Sequence, residues 1–162
     1  MEEIEKVEEC EKEIKLNKKR EIEFRAKDRT GIMNFDWFYG SLDLTTNKEF
    51  PKIICKDRFG NTMFIDTDKE TIGQYTGLKD KNGKKIFEGD IVKLTETNYN
   101  YEWTAVVEFG NPNGEYVWGW NLKPITKDVE CNLDILCWVE MPIGATCEVI
   151  GNIYDNPELI GE

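Results

Sequence analysis

The chain has 162 residues, 40% of them hydrophobic and 12% aromatic, with 32 acidic and 21 basic side chains, no histidine and a formal charge of -11 at pH 7. This length and apolar content support one domain with a real core and exclude wholesale disorder. The charge opposes binding to phosphate backbones and anionic membranes, so nucleic acid is not an expected partner. Without histidine, the commonest general base and the mixed Cys/His zinc sets are excluded.

Residues 1–19 form an acidic unit without Gly or Pro. Glu2/Lys6, Glu8/Lys12 and Glu11/Lys15 are spaced for i, i+4 pairs, and Ile4, Val7, Cys10 and Ile14 fall near one face. This pattern predicts an N-terminal acidic helix that docks on the body, frays, or pairs with a second copy of the chain as a homo-oligomer contact. From residue 20 a β-type body runs to residue 162. Ile22, Phe24 and Ala26 alternate with Glu21, Glu23 and Arg25 as a strand, and Asp28 to Gly31 turn the chain. The aromatic run Phe35, Trp37, Phe38 and Tyr39 is expected to build core. Lys52 to Cys55 and Thr62 to Ile65 predict a hairpin turning at Gly60. Asp66, Asp68 and Glu70 alternate, but the glycine and distal glutamate of a calcium loop are missing, so a loop or helix cap is expected and no metal site.

The stretch Ile72 to Val92 organises the chain. An apolar strand at Ile72 to Thr76 leads to a turn at Asn82-Gly83, then to Ile86 and Phe87, and a second turn at Gly89-Asp90 opens the strand from Ile91. Tyr75, Leu78, Ile86 and Phe87 are predicted to be buried. Lys79, Lys81, Lys84 and Lys85 are a local reversal of charge and candidate ligand contacts.

Trp103 to Phe109 alternates as a strand, with Val106 an apolar residue on its otherwise polar face. The turn at 110–114 leads to Tyr116, Trp118 and Trp120, which alternation places on one face as a candidate partner or ligand surface. Residues 121–136 are expected to be a loop or insertion with a short element, followed by an apolar segment from Cys137 to Glu140. Thr146 to Ile153 predicts the last strand, and Pro157 a helical turn. Cys10, Cys55, Cys131, Cys137 and Cys147 are odd in number and include no CxxC pair, so they read as reduced thiols of a cytoplasmic protein. No run approaches the roughly 20 apolar residues of a membrane span.

Three segments together resemble the YopX family of phage and prophage proteins: REIEFRAKD at Arg20 to Asp28, QYTGLKDKNGKKIFEGDIV at Gln74 to Val92, and EVIGNIYDNPEL at Glu148 to Leu159. The resemblance implies a mainly β domain with SH3-like barrel character, acting inside a bacterial host cell, and it brings no catalytic residues. The residues agree on architecture, since many short strands with Gly and Asn turns imply a small barrel or β-sandwich core with irregular loops. There is no P-loop, no GxGxxG opening a helix and no GxSxG elbow, and no cofactor is expected. The expected function is therefore non-enzymatic. The first expectation is a protein-interaction module that engages a host or phage protein, for example a defence or nucleic-acid-handling protein, through acidic and aromatic surface. The alternative is capture of a nucleotide-like ligand between rings such as Trp118 and Trp120, with the four lysines meeting its phosphates.

Overall fold

The computed structural model describes residues 21–34, 36–46, 49–111, 118–126, 129, 133–140 and 144–161. The expected N-terminal acidic helix, with its oligomer contact, and Tyr116 lie outside these residues. The described residues build ten strands: β1 (Phe24–Lys27), β2 (Trp37–Asp43), β3 (Lys52–Lys56), β4 (Thr62–Asp66), β5 (Gly73–Lys79), β6 (Lys85–Phe87), β7 (Asp90–Glu96), β8 (Tyr101–Gly110), β9 (Gly119–Pro124) and β10 (Ala145–Asn152). One helical turn, α1 (Leu136–Val139), precedes β10.

The strands divide into a six-stranded sheet, ordered β4-β3-β2-β1-β5-β6, and a four-stranded sheet, ordered β10-β7-β8-β9. All pairings are antiparallel. The chain is thus mainly β, as its turn spacing predicts, but the sheets do not close into the expected SH3-like barrel. The physical cause lies in the central stretch. The β5/β6 register shifts between Tyr75 and Lys79, and Gly77 takes φ +90° there. A bulge of this kind bends its strand and swings the hairpin tip away from its own sheet. Gly89, at φ +80°, then turns the chain so that β7 pairs with β8 and β10.

The larger core covers one face of the four-stranded sheet. β8 buries Trp103, Ala105 and Val107 at every second position, β7 adds Val92 and Leu94, and β10 adds Cys147 and Val149. Leu78 and Ile86 enter from the β5–β6 hairpin, and Ile135 and Trp138 close the cluster. Trp103 and Trp138 meet edge-to-face with centroids 5.5 Å apart. Full burial of such side chains contributes about 1.5–3 kcal/mol each. Burial also pushes the Cys147 thiol up to about 12, so it packs as a small hydrophobe. The segment expected to be a loop or insertion with a short element has regular structure at both ends. Asn121 to Pro124 belongs to β9, paired along β8, and Pro124 is tolerated as its last residue. Cys137 lies in α1, whose first N–H group, that of Leu136, donates to the Asp134 carboxylate at 2.9 Å.

Candidate interaction surfaces

The four candidate lysines sit on the β5–β6 hairpin. Its turn is built on Asp80, 7% exposed, whose carboxylate accepts from the N–H groups of Asn82 (2.8 Å) and Lys84 (2.9 Å) and, across the sheets, from Val149 of β10 (3.0 Å). Burial opposes that charge, but the N–H donors outweigh it and hold the carboxyl below its ordinary range. Lys81 donates its N–H to the Cys147 carbonyl (3.0 Å) and its ammonium to Glu148 (2.5 Å). Lys85 pairs with Glu21 (2.6 Å) and Glu23 (2.8 Å) over the Tyr75 ring. Two of the four lysines therefore brace the fold. Lys79 and Lys84 are exposed and form no ion pair among the described residues.

The candidate tryptophans divide by depth. Trp120 packs on the edge of the core, whereas Trp118 is 69% exposed. Phe109, 51% exposed, joins them, with centroids 5.1 Å from Trp120 and 6.4 Å from Trp118. The core thus runs out to solvent as an aromatic cluster at one end of the β8–β9 ladder. The hairpin lysines lie off β10, at the opposite edge of that sheet. Three strand spacings of about 4.8 Å separate those edges, roughly 14 Å. Cys147 aligns through Leu94 with Trp103, six residues along β8 from Phe109, so lysines and tryptophans occupy diagonal corners and share no site.

On the other face of the same sheet lies a cavity of ≈ 490 Å³. Val106 forms part of its wall, which accounts for an apolar residue on the polar face of β8. Ile72, Ile153, Tyr154 and Ile160 add apolar surface, and Glu88, Glu108 and Lys123 are the charged residues in its lining. No motif announced this cavity, and Val106 was its one trace in the sequence.

Between the sheets the charges pair tightly. Arg25 of β1 meets Asp90 of β7 at 2.6 Å, with side chains 6% and 2% exposed. Its guanidinium also donates to the Glu88 carbonyl (3.1 Å) and sits between the rings of Trp37 (4.7 Å) and Phe87 (5.0 Å). Asp90 accepts in addition from the Phe87 N–H at 2.8 Å. Burial raises the Asp90 carboxyl above its ordinary value, against the pull of Arg25. Further out, Asp155 pairs with Lys27 and accepts from the Trp37 indole N–H (2.7 Å) and the Asn152 amide (2.8 Å).

Compared with known proteins, a family model described as YopX protein matches residues 23–161. The chain belongs to the YopX family. Among solved structures, the crystal structure of protein EF1440 from Enterococcus faecalis is similar at 24% identity, with a TM-score of 0.41, over 86% of this chain and 98% of that one. No curated protein matches.

The YopX signature of this chain has a legible physical role. Arg25 and Lys27 come from the first anchor, Asp80 and Asp90 from the second, and Glu148, Val149 and Asp155 from the third. Their contacts run between anchors: Arg25 to Asp90, Lys27 to Asp155, Asp80 to Val149 and Lys81 to Glu148. The signature of this YopX protein is therefore a cross-brace between sheets. Among the described residues no group of three or more Cys, Asp or Glu side chains is arranged to hold a metal ion. No helix among them is long and apolar enough to cross a membrane.

Proposed function

We propose that this YopX protein is a non-enzymatic interaction module, encoded by a phage or prophage and acting in the bacterial cytoplasm, that docks on a basic host or phage protein. The observation that carries this reading is the aromatic cluster of Phe109, Trp118 and Trp120, left open to solvent in a chain of net charge -11. Exposed tryptophan is a common anchor of protein interfaces, and surrounding acidic charge steers a basic partner toward it. The alternative, a nucleotide-like ligand held between rings such as Trp118 and Trp120 with the hairpin lysines meeting its phosphates, lacks support from the geometry because the tryptophans and the lysines share no pocket.

A pull-down from host lysate with the wild type and the double variant F109A/W118A tests the docking reading. The expected result is a specific basic partner, recovered at low salt, released as salt rises, and lost with the double variant. Equal recovery by wild type and variant, or no specific partner at low salt, would overturn it.

A further inference from the structure

We propose that the ≈ 490 Å³ cavity on the outer face of the four-stranded sheet is a receptor for one basic side chain, a lysine or arginine, presented by the docked partner. This deepens the docking reading and rests on it. The cavity's apolar wall of Ile72, Val106, Ile153, Tyr154 and Ile160 suits a methylene stem. Its charged lining, two carboxylates against one ammonium, suits a cationic head. Glu88, Glu108 and Lys123 form no ion pair among the described residues, so the negative excess is left for a ligand to meet.

Glu88 is half-buried: burial raises its carboxyl, a backbone hydrogen bond at Gln74 pulls it part of the way back, and the neighbouring charge of Glu108 raises it again. A cation seated between the two carboxylates cancels their mutual repulsion and offsets the cost of burial. The site is also held in place before any ligand arrives. Arg25 fixes the Glu88 carbonyl at 3.1 Å, and the Gly89 N–H donates to the Val107 carbonyl at 2.9 Å. A phosphate-bearing ligand would meet two carboxylates at short range, which argues against nucleotides here. Glu108 directly precedes Phe109 in β8, so the cavity and the aromatic cluster share one end of that strand.

The test is an NMR titration of the full chain with the dipeptide mimic Nα-acetyl-lysine N-methylamide. Nα-acetyl-norleucine N-methylamide, which has the stem without the ammonium, serves as the matched control. Saturable shifts of the Gly89, Glu108 and Ile153 amides are expected with the lysine mimic alone. E88Q/E108Q is expected to weaken binding about tenfold or more, the scale of a lost charge-assisted contact. K123Q, which removes the resident cation, is expected to tighten it, and W118A to leave it unchanged. Equal response to the norleucine mimic, no saturable shift, or weaker binding by K123Q would each overturn the proposal. No partner is present in the titration, so failure of the lysate experiment and failure of the cavity are read separately.

Discussion

Replacing Arg25 by methionine removes the charge that neutralises Asp90 while keeping much of the aliphatic volume between Trp37 and Phe87. Both side chains of the pair are at most 6% exposed, so Asp90 would be left buried with the Phe87 N–H and no cation. Stripping one partner from a buried ion pair costs about 3–5 kcal/mol, a large share of the roughly 5–15 kcal/mol stability of a domain. With a urea m-value of about 2 kcal/mol/M, a loss near 4 kcal/mol moves the unfolding midpoint down by about 2 M. Urea titration read by tryptophan fluorescence measures it. Adding D90N in the same chain removes the stranded charge and keeps an acceptor for the Phe87 N–H, so R25M/D90N is expected to recover about half of the loss. The pH dependence has a definite sign. Asp90 has a raised folded-state pKa, so the folded state takes up its proton first, and stability linked to that proton is gained as the pH falls through that pKa. Losing Arg25 raises the pKa further, so the deficit of R25M shrinks as the pH is lowered. An R25M midpoint within about 0.5 M urea of wild type, or a double variant no better than R25M, would refute the account of Arg25 as the clamp between the sheets.

Asp80→Ala strips the acceptor from three backbone N–H groups, one of them across the sheets at Val149, and is expected to cost about 3 kcal/mol. Hydrogen exchange should show the Val149 amide opening before that of Val92, and simultaneous opening would refute the local anchor. Asp155 has its carboxyl held at about 2 against an ordinary 3.8: burial pushes it up, and its hydrogen bonds to Asn152, Lys27 and Trp37 pull it further down. Its folded-state pKa is depressed, so its contribution is present above pH 3.8 and lost as the pH falls through about 2. Because the side chain is 38% exposed, that contribution is on the order of 1 kcal/mol after solvent screening. Urea midpoints of wild type and D155N should differ at neutral pH and converge below pH 2, and a gap that persists in acid would count against the pairing.

What was legible in the sequence was local. The Ile72 to Val92 stretch could be read because turn chemistry sits in adjacent residues, and Tyr75, Leu78, Ile86 and Phe87 are each at most 8% exposed, as their spacing predicts. Asp68 caps the short helical turn after β4 by accepting from the Glu70 N–H, and Pro157 opens the last one. What escaped depended on distant partners. Alternation along β1 assigns Arg25 to the polar face with Glu21 and Glu23, yet Arg25 is 5% exposed because β7 and the Trp37 and Phe87 rings cover it. Asp90 reads as a turn residue and is 1% exposed. β9 was masked by Pro124, although Trp120 and Leu122 keep the two-residue period. The tryptophans could be placed on one face, but Trp120 packs against the core while Trp118 is exposed, a difference in depth that periodicity does not encode.

The pairing of Lys27 with Asp155 joins positions 128 residues apart, and Trp37 reaches the same carboxylate across 118. On the ribosome, β1 and β2 are made early, while the carboxylate that Lys27 and Trp37 share leaves the exit tunnel long after them. The Lys27 and Trp37 corner of the six-stranded sheet therefore waits unlatched until Asp155 emerges, a vectorial form of high contact order. A nascent chain stalled with Asp155 still inside the tunnel should remain protease-sensitive at β1 and β2, and become resistant when stalled far enough beyond it for Asp155 to emerge.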